Sequence, residues 1–271
     1  MDKHIKQCFS HGNESGSHGN FHKVILLHEE PKLGWEEARK LVPRLCKGWY
    51  ELAHLTPSDR IEFTRDFWLS KLPYHPKLSD FLVHFFASLD DILIILTQQK
   101  FDDPFEAQLI YSIKKDVGFF RGHLPASDDE IIQLKKDFIE YTLPADYVAF
   151  LQIHNGFSKT TDCTGLTKST KMKENYQQFQ ATLAKENSIT TNRGIVVNPD
   201  TLIPFYESFG MPFLQCFWGE WYPENEMGNV YYSGTTKTIS DVEGGELFSE
   251  SMSFTTFLDW LMFYMEVVYK V

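Results

Sequence analysis

The chain has no paired cysteines. Cys8, Cys46, Cys163 and Cys216 stand far apart with no C-x-x-C among them, which excludes a thiolate zinc site of ordinary spacing and a disulfide framework. Dispersed thiols fit a reducing compartment, and the first residues carry no charged-then-apolar leader, so a cytoplasmic protein is expected. Long apolar runs are missing as well. The longest, residues 81–96, contains His84, Asp90 and Asp91 and reads as a buried helix, not a membrane span. The sequence also lacks a G-x-S-x-G elbow, a P-loop, a G-x-G-x-x-G turn, an H-E-x-x-H pair and an EF-hand loop. His28-Glu29-Glu30-Pro31 stops short of a zinc-protease pattern, and its proline opposes the helix that pattern needs. The adjacent acids Asp90-Asp91 and Asp102-Asp103 would diverge on a helix, and the second pair reads as a cap. Cys163 and Cys216 have no local basic neighbour to stabilise a thiolate. No catalytic residue, metal ligand or cofactor site is therefore assigned, and the expectation is a protein that is not an enzyme.

Basic residues run short toward the end of the chain. The net charge is −11, and after Ile195 only Lys237 and Lys270 stand against eleven acids. A field of that sign repels nucleic acid and anionic lipid and attracts a basic protein. Against this background 23 Phe, 12 Tyr and 6 Trp supply an aromatic-rich core, with some left over for a surface. The candidate surface is Phe217-Trp218-Gly219-Glu220-Trp221-Tyr222-Pro223-Glu224-Asn225-Glu226. If residues 223–228 form a hairpin tip, Glu220, Glu224 and Glu226 ring Trp221 and Tyr222, an arrangement suited to gripping a Lys/Arg-rich partner. The alternative is a solvated acidic loop with both aromatics turned inward. A second acidic stretch, residues 241–246, would extend the same face.

Residues 1–23 are rich in Gly, Ser, Asn and His and read as a disordered tail, whose scattered histidines have no fixed geometry for a metal. Residues 24–122 read as an all-helical region. Trp35, Ala38, Val42, Leu45, Trp49 and Leu52 share a face that Pro43 must kink or split, and Thr56-Pro57-Ser58-Asp59 starts a helix leading into Ile61, Phe67 and Trp68. Ser79-Asp80 opens another helix, and Asp103-Pro104 one that stops at Gly118. Residues 159–173 form a polar loop before a helix marked by Met172, Tyr176, Phe179 and Leu183, together an insertion near 158–193. Strand-like segments follow at 194–197, 202–206, 213–218 and 229–232. The expected class is α+β, a largely antiparallel sheet flanked by helices, with the α+β domain over residues 123–271.

The clearest local signal lies at residues 143–157. Pro144 needs no N–H partner at a helix start, and Asp146 faces the positive end of the dipole. Tyr147, Phe150, Leu151 and His154 form one stripe, with His154 as a hydrogen-bonded boundary residue. Asn155-Gly156 ends the helix, Gly156 left-handed and Phe157 folding back on Leu151. Just before it, Ser127-Asp128-Asp129-Glu130 is a capping box opening a helix with Ile131, Leu134, Phe138 and Tyr141 on its apolar face.

The run Leu143-Pro144-x-Asp146-Tyr147-x-x-Phe150-Leu151-x-x-x-Asn155-Gly156 resembles the hallmark of the SUKH superfamily, which includes the Smi/Knr cell-wall-synthesis regulators. Leu202-Ile203-Pro204-Phe205 matches the family's Ile-Pro step loosely, and Ser253-Phe254-Thr255-Thr256-Phe257-Leu258-Asp259-Trp260-Leu261 matches its closing helix closely. The likeness runs from Ser127 to the C-terminus. It implies an α+β fold with those eight signature residues as fold-defining, and no catalytic set to carry over. It further implies a non-catalytic protein-binding module, either a scaffold or regulator of the cell-wall-synthesis type or an immunity protein neutralising a basic polymorphic toxin. The competing reading is an enzyme or small-ligand binder whose groups are assembled across the fold.

Overall fold

A computed structural model describes residues 3–9, 21–29, 32–186, 188–208, 213–242 and 252–266. The chain divides into two compact units. The first comprises Met1–Lys71, Pro76–Pro125 and Phe157–Thr160, and the second Leu72–His75, Ala126–Gly156 and Thr161–Val271.

In the first unit, helices α1 (Lys3–Cys8), α2 (Trp35–Leu41), α3 (Lys47–Ala53), α4 (Pro57–Lys71) and α5 (Leu78–Ala87) accompany strands β1 (Lys23–Leu26), β2 (Leu89–Gln98), β3 (Glu106–Ile113), β4 (Gly118–His123) and β5 (Phe157–Lys159). The strands pair antiparallel in sequence order, with Ile25 opposite Leu96, Ile94 opposite Leu109, Ile110 opposite Arg121 and Gly122 opposite Phe157. Helices are present here as expected, and Pro43 separates α2 from α3. The region is not all helical, however. Residues 81–96 are the end of α5 followed by β2, and residues 106–113, expected in a helix, are β3. A short unbroken apolar run carries no usable period, and the β-branched Ile92, Ile94 and Ile95 suit a strand buried on both faces. The segment expected to be a tail contributes α1, because Ile5 and Phe9, four residues apart, are buried beside Leu93, Ile110 and Phe119. Residues 10–20 of that segment lie outside the described residues. Phe157, expected to fold back on Leu151, opens β5, where its ring meets Trp68, Tyr111 and Phe120.

Trp68 is the centre of this core, its indole N–H donating to the Tyr111 hydroxyl at 3.0 Å and its ring edge-on to Phe86. Two turns away on the same face lies Arg60, whose side chain is only 5% exposed. Nε and Nη2 bind both oxygens of Asp91 at 2.8 and 2.7 Å, and Nη1 donates to the carbonyls of Leu55 and Ala53. The fork ties α4 to the start of β2 and leaves the guanidinium satisfied.

The second unit holds α6 (Asp128–Asp137), α7 (Ala145–Leu151), β6 (Gly165–Leu166), α8 (Ser169–Leu183), β7 (Ile189–Thr191), β8 (Val196–Val197), β9 (Leu202–Glu207), β10 (Phe213–Trp218), β11 (Asn229–Ser233), β12 (Thr238–Ile239) and α9 (Phe257–Glu266). Its strand order is β6-β9-β10-β11-β12-β7-β8, antiparallel except for β12 with β7. The expected α+β class with a largely antiparallel sheet is therefore what the chain adopts. The loop expected over 159–173 is shorter than that, since β6 and the first turn of α8 occupy its second half.

Replacing Asp91 with alanine leaves the Arg60 guanidinium buried without a counter-charge. The first unit should lose about 3 kcal/mol of unfolding free energy, read by urea denaturation.

Candidate functional site

Every polar residue of the signature run works inside the second unit. Pro144 is the N-cap of α7, and the chain leaves that helix through Gln152 to Gly156, whose φ is +106°. Tyr147, Phe150, Leu151 and His154 are all buried. The Tyr147 ring meets Phe205, Phe217 and Phe257, and its hydroxyl reaches the Met172 sulfur at 3.3 Å. Asp146 accepts the N–H of Tyr147 at 2.8 Å and, from the far end of the chain, the N–H of Leu258 in the first turn of α9 at 2.9 Å. Asn155 accepts the N–H of Ser169 at the start of α8 at 2.6 Å, and its amide reaches Glu130 at 3.5 Å. Glu130 is also the acid of the capping box that opens α6, accepting the Ser127 N–H at 2.8 Å. Asp146 and Asn155 are buried and act as interior caps, while Ser127 and Glu130 are half-buried.

The connection between β10 and β11 lies beside them. It closes through Trp221 N–H to the Trp218 carbonyl and Gly228 N–H to the Trp221 carbonyl, each at 3.0 Å, and carries a 3₁₀ turn over Pro223–Asn225. Glu224 and Asn225 both have positive φ, +55° and +74°, a tight reversal that pushes Glu224 outward. Two glycines permit close ring contacts. A Cβ on Gly228 would lie 2.3 Å from the Trp221 ring, and one on Gly219 would lie 2.4 Å from the Tyr141 ring.

Of the five residues expected at a partner surface, Glu220, Tyr222 and Glu224 are exposed, Tyr222 by 42%. Trp221 lies over Gly228 and packs on the cluster that includes Phe179, Val230 and Tyr232. Glu226 is half-buried, and its carboxylate accepts the Ala145 N–H at 3.4 Å, at the first residue of α7. Of the second acidic stretch, residues 243–246 lie outside the described residues.

Four neighbours escaped the sequence reading. Tyr141, following α6, donates to the Asp200 carbonyl at 3.2 Å, and Tyr176 of α8 donates to the same oxygen at 2.9 Å. Burial raises the pKa of the Tyr141 hydroxyl, and the charges of Glu140, Asp200 and Glu220, with Tyr222 beside them, push it further up. Burial likewise raises Tyr176, with Tyr141, Asp200 and Glu140 adding to it. Exposed Glu140, Asp200 and Glu220 thus share one neighbourhood with three tyrosines. The only signal in the sequence was a tyrosine on the apolar stripe of each helical segment, which reads equally well as core. Lys237, the single described basic residue after Ile195, is bound to Glu186 at 2.6 Å. Among the described residues no group of His, Cys, Asp and Glu is arranged to hold a metal, and no helix is long and apolar enough to cross a membrane.

A largely antiparallel sheet with a capped interior helix and an acidic and aromatic connection defines a small α+β module. The family model described as SMI1 / KNR4 family (SUKH-1) matches residues 125–260, half of the chain, and the protein belongs to that family. No curated protein matches the chain. Membership supports a non-catalytic module of SUKH type.

Asp146 carries a consequence for stability. Burial pushes its pKa up to about 6 against the two N–H bonds it accepts, and the nearby Glu226 adds to the rise. An unfolded aspartate titrates near ~3.9, so the native state holds this proton more tightly. The stability this group contributes is full below about pH 4 and is lost as the pH rises through about 6. Urea denaturation of wild type and Asp146→Asn across that window should show a step in the difference between them, with the wild type losing ground as the pH rises.

Proposed function

We propose that this chain is a non-catalytic intracellular protein-binding module, a scaffold or regulator of the cell-wall-synthesis type, that holds a basic partner on the face formed by Glu220, Tyr222 and Glu224. Glu140, Tyr141, Tyr176 and Asp200 extend that face, while Trp221 and Glu226 support it from beneath. The observation that carries the reading is the gathering of exposed acids and tyrosines from three separate stretches of chain around the Asp200 carbonyl. Tyrosines offer flat contact area at low entropic cost, and the acids select and orient a Lys/Arg-rich surface. Such a field disfavours nucleic acid and anionic membranes as partners. All four cysteines are free, in keeping with a reducing cytoplasm.

A basic polymorphic toxin would fit the same face, which is the immunity-protein reading. The first unit, with its five described helices and five strands, is more structure than such neutralisation needs and favours the scaffold.

The test is affinity capture with wild type and a Glu220→Lys/Tyr222→Ala/Glu224→Lys variant, identified by mass spectrometry. Glu226 is left untouched because it caps α7. A basic protein held by wild type, released by added salt and lost from the folded variant is expected. Equal capture by both would refute the face.

A further inference from the structure

We propose that α4 is a self-association surface, through which two copies of this chain pair antiparallel about a two-fold axis. The helix buries Arg60, Thr64 and Trp68 on one face, yet Phe63 and Phe67, four residues apart, are 62% and 40% exposed. Phe67 lies outside the core that its neighbour Trp68 enters. Two exposed phenylalanines on one stripe of a helix are a cost in water unless something covers them.

The charges around that stripe say what covers it. Arg65 binds Asp66 at 2.8 Å and lies 3.9 Å from Glu62, so those acids already have their cation. Asp59 stands four residues before Phe63, its carboxylate held by the Thr56 hydroxyl at 2.7 Å with no cation beside it among the described residues. Lys71 stands four residues after Phe67, its ammonium 5.8 Å from the centre of that ring. Acid, ring, ring and base therefore follow one another at four-residue spacing along about 18 Å of helix. Turned end for end, this sequence of groups is its own complement. A two-fold axis midway between Phe63 and Phe67 sets Phe63 against Phe67 of the second copy and Asp59 against Lys71 of the second copy, each contact made twice. A partner of uniform charge would satisfy one end and repel the other. One helix face is smaller than the ~800 Å² per partner of a standard interface, so the pairing is weak and concentration-dependent.

The experiment is sedimentation equilibrium on the full chain, with circular dichroism to check that each variant folds. Wild type should dimerise as its concentration is raised, and Phe63→Glu should be monomeric. Asp59→Lys and Lys71→Glu, which place like charges against each other, should each weaken dimerisation at least tenfold. The double variant Asp59→Lys/Lys71→Glu should recover it, a rescue that no merely structural role for these residues would give. Wild type monomeric at about 1 mM would overturn the proposal. So would a dimer that survives Phe63→Glu, which would place the interface elsewhere. A monomer that loses thermal stability on Phe63→Glu would also overturn it, pointing to a segment of the same chain lying over the face.

Discussion

The second unit depends on one constraint: the first N–H groups of a helix have no partner inside it, and when buried they must find one elsewhere. Here α7 supplies the partner for two other helices. Asp146, at its start, takes the Leu258 N–H of α9, and Asn155, just past its end, takes the Ser169 N–H of α8. Asn155 also touches Glu130, which closes the capping box of α6. A helix of seven residues thereby fixes where three others begin, over a sequence separation of 112 residues in the case of Leu258. The aromatic packing follows. With α9 held at its first turn, Phe257 reaches Tyr147 and Phe150, and Trp260 stands edge-on to Phe205, itself stacked on Phe217 at 4.2 Å.

This division of labour explains why the signature says more about fold than about function. Its side chains are consumed in capping and packing, so they have none to spare for a partner. The acidic face is built from other residues, on a connection whose two glycines let Tyr141 and Trp221 lie against the backbone. Glu140, Glu220, Tyr222 and Glu224 are solvent-facing and can change without disturbing the caps. Only Glu226 belongs to both arrangements, since it lies near Asp146 and binds the N–H of Ala145.

What could be read in advance followed the length of the local signal. The capping box at Ser127 and the helix stop at Gly156 were legible because each is written within four residues. So were the β9, β10 and β11 strands, punctuated by Gly and Pro. The first unit was misread where the pattern carried no period. Residues 92–97 are buried on both faces, so they lack the alternation that marks a half-exposed strand. The candidate site was half legible. The acids of 220–226 announced themselves, but which aromatics turn inward is decided by Gly219 and Gly228 in three dimensions. Tyr141, Tyr176 and Asp200 join only through a shared carbonyl that no sequence pattern encodes.

Amide hydrogen exchange at Leu258 and Ser169 tests the capping arrangement most directly, because neither N–H has an acceptor within its own helix. In wild type both should exchange as slowly as the core strands. Asp146→Ala should expose Leu258 while Ser169 stays protected, and Asn155→Ala should do the reverse. Rapid exchange of either amide in the wild type, or protection that ignores both substitutions, would contradict the role given to α7.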